Sequence, residues 1–328
     1  MKKSNTLKYS IVVILLLTLL VGAALFIANK PTGRAVTHEK VKIGYKATSH
    51  YLPVFVAKEK GFFEQEGLNA EIVEFQSSNH VLEGVISGHL DAGRGALVKQ
   101  FTIELKEPGT LKTFLVNKQT KYNYIDYIII RKDSNIKSVK ELKGKKIGTN
   151  AGSVESSFLI AVLGKFGLNK GDYEIITMEP GLLPQVLEAE QIDAFMSYEP
   201  ITTIAIKKDI GKILVSAPIE KYIIDPLVSG GCYMRADYIE KNPEKAHKII
   251  RAFYKAAEFI ENNPEECRKI ITKYTPLEED MSSDLHILEV KKPSVLKDAV
   301  QEHADIIFKE GIIDKRLDVS NIFYEIPS

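Results

Sequence analysis

The chain has 328 residues, too many for one small core and enough for about two domains of roughly 150 residues each. Apolar residues make up 45% and charged residues 27%, the mixture of an ordinary soluble globular protein. The formal charge of +1 provides no strong basic field, which excludes nucleic acid as a partner. Cys232 and Cys267 are the only cysteines and form no C-x-x-C pair, so neither a metal site nor a redox motif is supported.

The first 30 residues stand apart. They hold Lys2, Lys3, Lys8 and Lys30 and no acid, and residues 11–28 carry no charge and a single polar side chain, Thr18. A basic stretch followed by an apolar run is the form of a secretory signal or signal anchor. As a helix the run is about 27 Å long, just enough for a hydrocarbon core of roughly 30 Å. It is longer than the apolar core of an ordinary cleaved signal, so the expectation is an uncleaved anchor, with cleavage after Ala24 or Ala28 as the alternative. The leading lysines would stay inside and everything after Lys30 would face out. No cysteine follows the run, which excludes a bacterial-type lipid anchor. Residues 31–40 read as a tether. Without the four leading lysines the formal charge becomes −3.

From residue 41 short apolar runs alternate with helical patterns. Strands are predicted over 41–45, 71–75 and 90–92, and helices over 52–60, 79–87 and 96–106, the first closed by Gly61 and the second by Gly88. A β-prone run over 124–130 follows. Ser138 and Glu141 form a capping-box pair ahead of a second series. That series has strands over 146–148, 174–178, 192–197 and 213–216 and helices over 153–166, 182–189 and 200–208. Strands separated by helices of about ten residues indicate βα units and a largely parallel sheet, here twice over. A return strand over 228–234 leads into the clearest helix. Asn242 and Pro243 open it, and Ala246, Ile249, Ile250, Phe253, Ala256, Ala257 and Ile260 share one face. Further helices over 265–274 and 296–310 are expected to cover the first lobe. The halves echo one another weakly: Val81-Leu82-Glu83 precedes Leu90-Asp91-Ala92 as Val186-Leu187-Glu188 precedes Ile192-Asp193-Ala194.

Four strand-to-helix junctions are the candidate site: Ala47-Thr48-Ser49-His50, Gly93-Arg94-Gly95, Asn150-Ala151-Gly152-Ser153 and Ser197-Tyr198-Glu199-Pro200. In open α/β sheets ligands sit beyond the carboxyl ends of strands, where helix beginnings offer free N–H groups to an anion. One such junction is unremarkable; two per lobe facing one cleft make a site. Arg94 could pair bidentately with a carboxylate, sulfonate or phosphate, or be a surface arginine. Ser153 reads as a helix cap, with ligand contact as an addition. Glu199 caps its helix or meets a ligand ammonium, Tyr198 is core or ligand wall, and His50 is a cleft donor or a solvated loop histidine. No G-x-S-x-G, H-E-x-x-H or P-loop pattern appears, and the histidines form no catalytic grouping.

Several runs together resemble the nitrate, taurine and aliphatic sulfonate group of ABC-transporter solute-binding proteins, which includes binders of thiamine precursors. They are VKIGY at 41–45, VAKEKGFFEQEGL at 56–68, GHLDAG at 88–93, SVKELKGKKIG at 138–148 and IDAFMSYEP at 192–200. The resemblance implies an α/β, two-lobe type II periplasmic-binding fold with Venus-flytrap closure, a monomer, no cofactor and no catalysis. It implies ABC permease and ATPase subunits as partners, besides a small-molecule ligand. It places that ligand at Thr48 and Ser49, Gly95 and Ala96, Asn150 to Val154, and Tyr198 and Glu199. Residues 41–130 and 231–328 would form one lobe and 131–230 the other, hinged near 127–132 and 227–232. Arg94 departs from the family, where small hydroxyl residues or Gly are usual, and the absence of Trp removes any stacking indole. The rival readings are an enzyme on the same fold, acting on a small acid or pyrimidine, and a membrane-tethered sensor, which the short stretch before the apolar run disfavours.

Overall fold

The computed structural model describes residues 38–151 and 153–327. The predicted anchor or signal lies outside them. Among the described residues no helix is long and apolar enough to cross a membrane.

Eleven strands are described: β1 Glu39–Tyr45, β2 Leu68–Glu74, β3 Ala92–Ala96, β4 Leu111–Lys118, β5 Asp126–Arg131, β6 Lys146–Asn150, β7 Glu174–Met178, β8 Ala194–Tyr198, β9 Gly211–Ser216, β10 Gly230–Arg235 and β11 Glu289–Lys291. They form two sheets, in the orders β11-β4-β10-β3-β1-β2 and β7-β6-β8-β5-β9. Leaving aside β11, the orders match position for position. In each sheet the central parallel trio comes from consecutive βα units, and the antiparallel strand beside it, β10 or β5, arrives from the other lobe.

The echo read in the sequence has a physical basis. Asp91 sits just before β3, and its carboxylate accepts from the Lys42 backbone N–H at 2.7 Å. Asp193 does the same for Lys146 at 2.9 Å just before β8. Each Asp thereby ties the first strand of its series to the approach of the third, which supports the parallel register.

Three expectations are corrected. The chain first leaves the six-stranded sheet between β4 and β5, so the run at 126–131 lies wholly in the second sheet, and the first crossing falls at 119–125 rather than at 127–132. Gly93-Arg94-Gly95 is the middle of β3, not a turn: Arg94 pairs with Cys232 and Gly95 with Gly231 across the sheet. The glycines are what let β3 lie there, because a Cβ on Gly93 would sit 2.6 Å from Val81 and one on Gly95 2.8 Å from the Tyr233 hydroxyl. Finally, the C-terminal helix Pro293–Lys309 does not cover the first lobe alone. Its Val300, Ala304 and Ile307 share one core with Leu97 and Phe101 of the first lobe and Phe158 and Leu163 of the second. His303 lies between the rings of Phe101 and Phe158 at 5.8 and 6.1 Å.

Gly230 is the tightest point at the second crossing. A Cβ there would lie 2.6 Å from the Gly95 carbonyl oxygen and 2.9 Å from the Arg94 guanidinium. Backbone cannot yield as a side chain does, so Gly230→Ala is expected to cost about 2–3 kcal/mol of stability. Urea unfolding measures this, and a loss under about 0.5 kcal/mol, the range of a neutral surface change, would show that the strands separate freely.

Candidate functional site

The carboxyl ends of the two sheets face one another across a cavity of about 90 Å³, lined from both lobes and from both crossings. The first lobe contributes Thr48, His50, Tyr51, Ser78, Arg94 and Ala96. The second contributes Asn150, Glu155, Phe158, Ser197 and Tyr198. Gln119, Asp126, Leu227 and Ser229 come from the crossings and their ends.

Of the residues singled out in the sequence, Thr48, His50, Arg94, Ala96, Asn150 and Tyr198 line this cavity. Gly95 faces Tyr233 instead. Ser49 does not line the cavity but joins the lobes, its hydroxyl donating to the Glu199 carbonyl at 2.9 Å. The His50 and Tyr198 rings meet edge to face across the same seam at 4.7 Å. The Glu199 carboxylate is turned away and caps the next helix: it accepts from the Thr203 N–H at 3.1 Å and the Thr203 hydroxyl at 2.9 Å. Gly152 lies outside the described residues, and Ser153 and Val154 are described only as the first backbone positions of the helix Ser153–Lys165. Further out, Lys207 pairs with Asp284, and Lys208 with Glu278 at 3.3 Å, again between the lobes.

Arg94 dominates the electrostatics. It is only 4% exposed, and it lies among Tyr51, Tyr198, Tyr233 and Cys232, with no carboxylate within ion-pair reach among the described residues. Its guanidinium lies over the Tyr51 ring at 5.6 Å, and the Tyr51 hydroxyl donates to the Arg94 carbonyl at 2.7 Å. Burial lowers its affinity for the proton, yet an arginine keeps its charge in proteins. Burial, and then Arg94 and Lys46, hold His50 well below the usual histidine range, so its imidazole is neutral. Burial likewise keeps Tyr198 a phenol.

A directional chain of hydrogen bonds leaves Arg94 and runs through both crossings. The guanidinium donates to Asn117 Oδ1, and Asn117 Nδ2 donates to the Ser229 hydroxyl at 2.8 Å. Ser229 donates to the Gln119 amide oxygen at 2.6 Å; the Gln119 nitrogen donates to Asp126 at 2.8 Å and Glu220 at 3.1 Å. This amide orientation is the one in which nitrogen faces acceptors and oxygen a donor. Asp126 is 8% exposed; burial, and then Glu155 and Glu199, push it up to about 7. Burial and then Asp126 drive Glu220 well above the usual range, so it is the protonated member of the pair. Glu155 is raised by burial, an effect opposed by its own backbone N–H and by Lys46 and Lys99.

Sequence reading missed Tyr51, Gln119, Asp126, Glu155 and Ser229. Asp126 and Gln119 belong to a crossing placed a few residues too late, and Glu155 lies on the helix after a junction rather than in it. Nothing local in the sequence marks Ser229; the chain of hydrogen bonds alone does.

Both cysteines are free and buried, and burial pushes each thiol up to about 12, so neither supplies a thiolate at neutral pH.

Two α/β lobes joined by two crossings around an interlobe cavity define a periplasmic-binding fold. In structure the chain is similar to the periplasmic aliphatic sulphonate binding protein SsuA from Escherichia coli, with a TM-score of 0.69 at 19% identity over 88% of this chain and 93% of that one. A family model described as NMT1/THI5 like matches residues 48–267, and the chain belongs to that family. It is 28% identical over 326 residues to a Bacillus subtilis (strain 168) protein named for binding aliphatic sulfonates, covering 95% of this chain and 93% of that protein. It is also 26% identical over 252 residues to the 4-amino-5-hydroxymethyl-2-methylpyrimidine phosphate synthase of Schizosaccharomyces pombe, covering 74% and 70%.

Proposed function

We propose that this chain is the extracytoplasmic solute-binding protein of an ABC importer, of the type II periplasmic-binding form, closing its lobes on a small anionic or zwitterionic organic solute. Arg94 carries the reading: a buried cation without an anionic partner among the described residues, at a cavity lined by both lobes, is a site prepared for an anion. The seam contacts Ser49–Glu199 and His50–Tyr198 belong to the closed form, and a solute held from both sides stabilises that form. The sulfonate-binding relatives support the same reading, and importers of this type imply permease and ATPase subunits as partners. The protein acts as a monomer held at the extracytoplasmic face of the cell membrane by its N-terminal segment, or is secreted if that segment is cleaved.

The pyrimidine phosphate synthase relatives carry a second reading, an enzyme on this fold. The buried, protonated thiols speak against cysteine chemistry in it. Mass spectrometry of candidate solutes after incubation separates the two: a binding protein returns them unchanged.

Calorimetric unfolding with sulfonates, taurine, carboxylates, nitrate and pyrimidines tests the solute-binding reading. A true ligand at a hundredfold excess over its Kd stabilises by about 2.7 kcal/mol, roughly 4–5 °C for a protein of this size. If no solute in the panel shifts the midpoint, the reading fails.

A further inference from the structure

We infer that Asn117 is the positioning residue of the anion site: a neutral acceptor that aims the Arg94 guanidinium without cancelling its charge. The inference rests on the solute-binding reading and adds to it the residue that keeps the cation available.

Asn117 lies in β4, is 4% exposed and does not line the cavity. It acts on a solute only through a neighbour, and that neighbour is Arg94, whose Nη2 donates to Asn117 Oδ1. The guanidinium also lies over the Tyr51 ring at 5.6 Å and against the backbone of Gly230, where a Cβ would come within 2.9 Å of Nη2. Tyr51, Tyr198, Tyr233 and Cys232 surround it, and burial keeps all four protonated. Asn117 therefore holds the place at which an acid would form a buried ion pair. A carboxylate there would fix the arginine fork equally well, but it would also neutralise the charge that a solute must meet. An amide oxygen supplies the aim and leaves the charge.

The amide must face the right way. Its donor and acceptor ends have nearly the same shape, and the reversed form would turn an NH2 group toward the guanidinium. Both crossings fix the choice. Asn117 Nδ2 donates to the Ser229 hydroxyl at 2.8 Å. That hydroxyl has one hydrogen, given to the Gln119 oxygen at 2.6 Å, so it can only accept from Asn117. Gln119 is held in turn by Asp126 and Glu220, which accept from its nitrogen at 2.8 and 3.1 Å. Its backbone exchanges hydrogen bonds with Leu227 at 2.8 and 3.0 Å, which joins the two crossings. Each link permits one polarity, and the atom delivered to Arg94 is an oxygen.

Titration calorimetry and thermal unfolding of the full chain test this, with ethanesulfonate, taurine and nitrate as probes. N117D keeps the shape and the acceptor and adds a charge. It is expected to weaken the tightest-binding probe by about a hundred-fold or more, while the midpoint of the free protein stays level or rises. N117L removes the acceptor and leaves the charge, so binding should weaken by only about ten-fold while the midpoint falls. Should N117L not fold, N117A takes its place. A merely structural asparagine gives the opposite order, because Asp is the milder change of shape. S229A is expected to weaken binding about five-fold in the native chain and under about two-fold in N117L, where no amide is left to orient. Equal losses in both backgrounds would put Ser229 on the solute itself and overturn the relay. Binding by N117D within about three-fold of the native chain, or weaker binding by N117L than by N117D, overturns the inference and leaves the solute-binding reading standing. Without any solute, an N117D midpoint below that of N117L overturns it as well. If the native chain binds none of the probes, the reading itself falls and the inference falls with it.

Discussion

Replacing Arg94 with Met is expected to weaken binding of any anionic solute at least a hundred-fold while the unfolding temperature of the free protein stays level or rises. Hydrogen bonds to a charged group contribute about 1.5–3 kcal/mol each, and a bidentate pair makes two, so roughly 3–6 kcal/mol is at stake. In the free protein, by contrast, the guanidinium is 4% exposed, has the neutral Asn117 amide as its hydrogen-bond acceptor and lacks an anion. A buried charge without its counter-ion costs free energy, and an apolar side chain of similar length removes that cost. The orphaned Asn117 oxygen offsets part of the gain. The protein thus keeps a destabilised arginine for the ligand to neutralise. Calorimetric titration and thermal unfolding on one preparation read both sides. Affinity retained within about three-fold would place the anion elsewhere.

The second large effect is a fall in stability as pH rises from about 6.5 to 8 in the absence of ligand. Asp126 and Glu199 are each held near 7 in the folded chain, chiefly by burial, against ordinary values of 3.8 and 4.5, and Glu220 lies well above its ordinary value. A carboxyl raised by folding binds its proton more tightly in the folded state. Its contribution is therefore full below the unfolded value and is lost as pH climbs through the folded one. Histidines act oppositely: His303, lowered to about 4 by burial, and His50 gain stability as pH rises, but only up to their unfolded value near 6.5. Exposed acids lowered by ion pairs, such as Asp237 and Asp305, are already fully ionised in this window. The carboxyls consequently act alone above pH 6.5, and the midpoint should drop by about 5 °C for a loss of a few kcal/mol. D126N should flatten the curve, as should a ligand that itself favours ionised Asp126. Scanning calorimetry across pH 6 to 8 decides it; a midpoint that is constant or rising there contradicts the account.

Some of the architecture was legible because its signals are local. The helix Pro243–Asn262 buries the same apolar face that its spacing predicts, from Ala246 to Ile260. The repeated Asp-Ala pairs mark equivalent ties in the two sheets. Strand β4 escaped notice because Thr113 and Asn117 are polar yet buried, one bonded to Gln100 and the other to Arg94, which spoils the apolar pattern of a central strand. Gly93-Arg94-Gly95 reads as a turn for a related reason. Glycine usually signals a break, and only the approach of Val81 and Tyr233 reveals that here it makes room inside a sheet.

The sequence by itself determined the two α/β series and most of the strand ends that carry the cavity, because periodicity, glycine stops and helix beginnings are properties of neighbouring residues. Tertiary structure alone decided which of these groups meet. Among the described residues Arg94 has no acid beside it, Glu199 is turned to its helix, and Asp126 and Glu155 share the cavity, because two chain crossings bring together residues far apart in sequence and withdraw their charges from water.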